Sequence, residues 1–353
     1  MSFESLPDGD RQNHFQLLRL VAASLVIIAH AWCIAGGATA YDPMYRSIGF
    51  DLGGTAVIAF FTISGYFIYL SFDRRHSNSS FILARITRLI PGLLVVSLIS
   101  ALLMGPLMTE LSIPAYFSSK SVWLYPLQNI SIYRIMASTL PGVFAHNPLP
   151  GSVNGSLWTL YFEVACYFGL FLAGTLGFLK QGRFVWLVVI WAPVYLVARY
   201  GPWTKPLYFA IFSLPFMIGM AAYHYRTRRL LDGRVAVALA VAAVALGIAH
   251  HGVEEVWTVA TAYGVLWLGF APAPSLLAYN KVGDFSYGTY IYGFPVAQCC
   301  AALIPNIGVF PLIVLSLPIS IVCGAVSWNF VEKPALKLRK FALLRQSQGV
   351  TAA

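Results

Sequence analysis

Charge is what this 353-residue sequence has least of. Only 10% of its residues are Asp, Glu, Lys or Arg, 58% are apolar, and its mean hydropathy is +0.72. Soluble globular chains carry about 25% charged residues, so the shortage excludes a soluble fold of this size. Alternation is missing as well. Runs such as Leu17–Ile28 lack the apolar–polar period of barrel strands. What remains is helices, which satisfy their own backbone hydrogen bonds inside lipid. The five cysteines, Cys33, Cys166, Cys299, Cys300 and Cys323, lie in apolar segments without metal-ligand spacing, so neither a disulfide framework nor a metal site is expected. Nor is a cleavable leader expected, because the first sixteen residues are polar and of mixed charge. An internal repeat of the transporter kind, a second soluble domain and a long polar tail are likewise not seen.

What the sequence does have is a succession of long apolar blocks. A hydrocarbon core of roughly 30 Å takes about 20 helical residues to cross. The blocks predict an all-α integral membrane protein of about ten spans, near 15–38, 52–72, 89–109, 157–179, 184–199, 206–225, 235–250, 256–273, 285–304 and 309–330. The net charge of +10 is held in short basic clusters between blocks, a mark of membrane topology rather than of nucleic-acid binding. With the N-terminus inside, the external connections hold Arg46, Lys120, Arg134, Arg199 and Lys205, and the other eighteen of the 23 basic residues fall on the cytoplasmic side or at its boundary. Both termini are therefore expected in the cytoplasm. A segment over 1–14 and a basic tail over 336–353 would flank a transmembrane domain over 15–335.

Within that domain, 110–156 is expected as an external loop. Val122–Val143 is apolar enough to suggest an eleventh crossing, but it contains Pro126, Gln128, Asn129, Arg134 and Pro141. A full crossing there would also turn every later basic cluster outward. A loop over the membrane face would suit a lid or an acceptor platform.

Ionisable residues inside spans are costly and are candidates for function. His30 follows Arg19 by eleven residues in RLVAASLVIIAH, about 16 Å along a helix. Glu163 lies six residues past Leu157 in NGSLWTLYFEVACYF, about 9 Å deep from the other direction. Together these depths use about 25 Å of a core of roughly 30 Å, so the two residues are expected near one level. A carboxylate beside an imidazole fixes its tautomer and raises its basicity, which prepares a general base. The same depths fit a structural helix-packing pair. Arg85 and Arg88, three apart in LARITRLIP where the third span begins, share one helical face. Such a pair fits either phosphate binding or positive-inside anchoring.

RLVAASLVIIAH, GFDLGGTAVIAFFTISGYFIYLSF, ARITRLIPGLL, VNGSLWTLYFE, VGDFSYGTYIYGFPV and FVEKPA occur in an order that resembles the membrane-bound acyltransferase 3 family, from about residue 12 to 335. Members of that family attach acetyl or other acyl groups to O-antigen, exopolysaccharide, Nod factors and some macrolides. The resemblance implies that His30 is the essential histidine and Glu163 the acidic residue after SLW. It implies that Arg85 and Arg88 serve an acyl-CoA donor, with Arg19 grouped beside them. Ser64, Gly65, Trp158, Tyr287 and Glu332 fall at motif positions where packing is expected. In particular, ISG within a helix points to close helix packing rather than to a nucleophile. Gly293 stands where many relatives carry His, and no hydrolase-like C-terminal domain follows.

The expectation is a bacterial inner-membrane enzyme that passes an acyl group, acetyl foremost, from cytoplasmic acyl-CoA to a hydroxyl of an extracytoplasmic glycan. Direct attack and an acyl-histidine relay fit the same residues, and neither needs a metal. A transporter or flippase of a glycan-export pathway is the alternative.

Overall fold

In the computed structural model the described residues are 13–74, 77–132, 139–225 and 231–338. All but Asn13 and His14 of the expected N-terminal segment lie outside them, as does the basic tail beyond 338. Arg134 in the expected loop also lies outside.

Among the described residues the chain is helical, with one isolated bridge between Thr109 and Val143. In chain order the helices are α1 (Phe15–Gly36), α2 (Pro43–Ile48), α3 (Leu52–Asp73), α4 (Asn78–Ile99), α5 (Gly105–Met108), α6 (Ile113–Ser118) and α7 (Lys120–Ile130). They continue as α8 (Trp158–Thr175), α9 (Phe184–Tyr200), α10 (Thr204–His224), α11 (Gly233–Ile248), α12 (Glu254–Phe270), α13 (Ser286–Leu303) and α14 (Val309–Ser327). A π-helical turn at Ser100–Met104 joins α4 to α5, and another at Trp328–Glu332 carries α14 onward.

Every expected span coincides with a helix. Among the described residues five helical stretches are long and apolar enough to cross a membrane: α1, α3, Asn78–Met108, α10 and Val309–Leu338. A sixth counts if α12 and Ser275–Lys281, bent by 88°, form one broken span. The remaining helices are shorter or carry more polar and small residues. α4 starts at Asn78 rather than near residue 89. Its first turn is polar, capped by the Ser77 hydroxyl accepting from Ser80 N–H at 3.2 Å, so hydropathy alone misses it.

Two compact units emerge from the contacts. The first comprises the chain to Val26, residues 41–74 and residues 162–282; the second comprises 27–40, 75–161 and the chain from Gly283. In the first unit α3 and α10 meet at glycines. A Cβ on Gly65 would lie 2.1 Å from the Phe216 carbonyl oxygen, and one on Gly219 would lie 2.1 Å from that of Thr62. Small residues that let backbones touch in this way are the usual glue of helices in lipid. The glycine of ISG is thus a packing residue, as its setting implies.

In the second unit α13 and α14 cross at Gly288 and Gly324, where a Cβ on Gly288 would lie 2.7 Å from the Gly324 Cα. α14 is inside-out by the standards of a soluble helix. It buries Ser316, Ser320, Gly324 and Ser327 while Phe310, Val314 and Val322 are exposed. That polarity belongs to a helix whose outer face meets lipid. Among the described residues the segment after α5 forms a packed layer of short helices. α7, at 11 residues, reaches only about 17 Å. Tyr116, Val122, Tyr125, Leu140, Val143 and Phe144 bury together against Ala101 and Met104. The Tyr116 hydroxyl donates to Ala101 O at 2.8 Å, and burial pushes its phenol up to about 12, so it stays a neutral donor. Gly105 makes room for that ring, since a Cβ there would lie 1.9 Å from the hydroxyl oxygen.

Candidate active site

His30 sits on α1, six residues before the helix ends at Gly36, and is half-buried. Its imidazole meets the Phe294 ring of α13 edge to face, with centroids 5.1 Å apart. One turn onward the Cys33 thiol donates to the His30 carbonyl at 3.1 Å. One turn earlier the backbone of α13 lies against Ile27, because Gly293 has no side chain. Both sides of the His30 turn are thus held by neighbouring structure.

Glu163 lies five residues into α8. In the first unit its Oε1 accepts the Ser64 hydroxyl of α3 at 3.1 Å and the Tyr167 hydroxyl one turn along α8. Two donors on one oxygen fix the carboxylate's orientation. Ser64 is therefore a partner of Glu163, which gives the serine of ISG a role beyond packing.

The three arginines have different surroundings. Arg19 stacks over the Phe67 ring with its guanidinium carbon 5.2 Å from the centroid. Arg85 lies 5.8 Å over the Phe81 ring, one turn back on α4. Arg88 is clamped: Nη2 donates to Asp284 Oδ2 at 2.7 Å and Nη1 to Glu332 Oε2 at 3.0 Å. Tyr287 and Trp328 rings flank it at 5.6 and 5.7 Å. Both acids are buried and further bonded, Asp284 by the Ser286 hydroxyl at 2.5 Å and Glu332 by the Ser327 hydroxyl at 3.1 Å. The π-helical turn at 328–332 carries Glu332 into this cluster. Among the described residues no group of His, Cys, Asp and Glu is arranged to hold a metal ion.

None of these settings by itself names a reaction. The sequence itself matches the Acyltransferase domain family over residues 13–328. The chain belongs to the acyltransferase 3 family. It is 28% identical to the O-acetyl transferase of Shigella phage Sf6 over 334 residues, 92% of this chain and 96% of that protein. It is 27% identical to Nodulation protein 10 of Rhizobium leguminosarum bv. viciae over 372 residues, 95% of this chain and 96% of that one. No solved structure matches it. The protein is thus an acyltransferase built as a multi-pass membrane domain.

Within this acyltransferase, the motif residues singled out by sequence keep their places on α1, α4 and α8, but their partners were not foreseen. Tyr167 was legible in principle, four residues after Glu163 on one helix face. Asp284 carried the signal of an acid in a run of apolar and small residues, VGDFSYG. Glu332, expected to pack, is instead a counter-ion of Arg88.

Proposed function

We propose that the protein transfers an acyl group, acetyl foremost, from acyl-CoA to a hydroxyl of an extracytoplasmic glycan such as O-antigen or exopolysaccharide. The bacterial inner membrane, with both chain termini cytoplasmic, is the setting. The observation that carries this reading is the family match across nearly the whole chain. The O-acetyl transferase among its relatives favours acetyl as the group moved.

In the proposed reaction His30 accepts the proton of the glycan hydroxyl as its oxygen bonds to the thioester carbonyl carbon. The carbon–sulfur bond breaks, and the proton passes from the imidazolium to the departing thiolate, leaving free CoA and an ester. General-base assistance of this kind is worth about 10²–10⁴-fold. Glu163, held by Ser64 and Tyr167, is proposed as the acidic member of the set. Arg85 is proposed to meet the donor's phosphates. Arg88 faces two carboxylates that occupy its terminal nitrogens and would repel another anion. Its part is to fix α4 so that Arg85 is presented. Arg19 is proposed alongside Arg85 in donor binding.

The test uses proteoliposomes loaded with radiolabelled acetyl-CoA and given de-O-acetylated bacterial polysaccharide outside. Label should appear on the polysaccharide, with CoA released inside. Polysaccharide that stays unlabelled with the donor on either side contradicts the reading.

A further inference from the structure

The second unit contains a chain of contacts that ends on the His30 ring. It begins at a backbone hydrogen bond missing within α13. Pro295 has no N–H, so the Ile291 carbonyl loses its helical partner. The Asn154 amide replaces it, Nδ2 donating to Ile291 O at 2.8 Å from a side chain only 2% exposed. Contacts on either side fasten the same loop to α13. The Tyr290 hydroxyl donates to Ser156 O at 2.6 Å, and Gln298 Nε2 donates to Leu149 O at 2.9 Å and Ser152 O at 2.7 Å. Between them Gly155 lies flat against the Phe294 ring, where a Cβ would come within 2.7 Å of Cε2. That ring meets the imidazole of His30. Beside it, a Cβ on Gly293 would lie 2.5 Å from Ile27 Cγ1, so α13 rests directly on α1 one turn before His30.

We infer that Asn154, Gly155, Gly293 and Phe294 form one positioning device that fixes the place and plane of the His30 imidazole. The inference rests on the reading of His30 as the base. A base must come within about 2.6–3.2 Å of the proton it removes, and a displacement of about 1 Å can lower a rate 10²-fold. Each member does one part of this. Asn154 holds the loop at the Ile291 carbonyl, and Gly155 gives Phe294 its seat. Phe294 backs the imidazole, and Gly293 sets the spacing of the two helices. The NGS and IYGFP motifs lie 137 residues apart at their bonded ends, Asn154 and Ile291, yet they build one wall behind one side chain.

The test is steady-state acetyl transfer by purified, folded protein with acetyl-CoA and de-O-acetylated polysaccharide. Gly293→Ala should lower kcat about 10–100-fold, leave KM for acetyl-CoA within about twofold, and move the midpoint of the pH–kcat profile. Adding Ile27→Ala, which removes the atoms the new methyl would strike, should restore most of that loss, a coupling read by a double-mutant cycle. Asn154→Asp, which keeps the shape but loses the Nδ2 donor, and Phe294→Leu should also lose kcat rather than KM. They decide the matter if Gly293→Ala does not fold. Wild-type kcat and pH profile in the folded variants, or no rescue by Ile27→Ala, overturn the inference. His30→Asn is run in parallel. If it is dead while the other variants match wild type, the positioning device alone falls. If it turns over normally, the base and the device fall together.

Discussion

An arginine is a good phosphate ligand only while its fork is available, and that of Arg88 is taken. Arg88 has one nitrogen on Asp284 and another on Glu332, both buried acids. Arg88→Ala would leave two carboxylates without their cation, and breaking a buried pair in this way costs about 3–5 kcal/mol. The expected result is a much lower unfolding temperature in detergent. Asp284→Asn, which keeps one ion pair, should cost less. Arg85→Ala should raise KM for acetyl-CoA. A charge-assisted hydrogen bond is worth about 1.5–3 kcal/mol, so that rise should be about 10–100-fold. An unchanged KM in the folded Arg85→Ala protein would contradict a part for Arg85 in donor binding.

Helix contacts made by glycine carry much of the packing at the next scale. Gly219→Val places a branched side chain where even a Cβ would lie 2.1 Å from the Thr62 carbonyl, so α3 and α10 must separate. Loss of folded protein on size exclusion is the expected outcome. Gly169→Ala on α8, where a Cβ meets nothing within 4 Å, should be neutral or slightly stabilising because alanine favours helix. The helices themselves were legible because apolar length is a local property, and all ten expected positions are helical. The start of α4 was not, since a capped polar turn carries no hydropathy. The candidates His30, Glu163 and the α4 arginines could be singled out as ionisable groups in or beside apolar runs and as parts of ordered motifs; their roles are proposals. Their partners could not be singled out. Arg88 and Asp284 are 196 residues apart, and Ser64 and Glu163 are 99 apart. Nothing in a single sequence records which distant motifs meet. The layer after α5 was read as a loop because its apolar residues face a local core of short helices that periodicity over 11 residues does not reveal.

For the molecule as a whole, inside-out burial on α14 and apolar helices with exposed apolar faces identify the surrounding solvent as lipid. The proposed orientation, with both termini cytoplasmic, can be checked at His146, whose side chain is 89% exposed beside Glu110. In a chain with its five cysteines replaced by serine, His146→Cys should react with a membrane-impermeant maleimide added outside sealed cells. Labelling only after the cells are opened would reverse the topology. The central claim is that His30 is the base of an acetyl transfer, and it is tested most directly by comparing wild type with His30→Ala. Both are purified, checked for folding and supplied with radiolabelled acetyl-CoA and de-O-acetylated polysaccharide. The account predicts label on the polysaccharide with wild type and a loss of at least about 10²-fold in the variant. A folded His30→Ala protein with full transfer would contradict it.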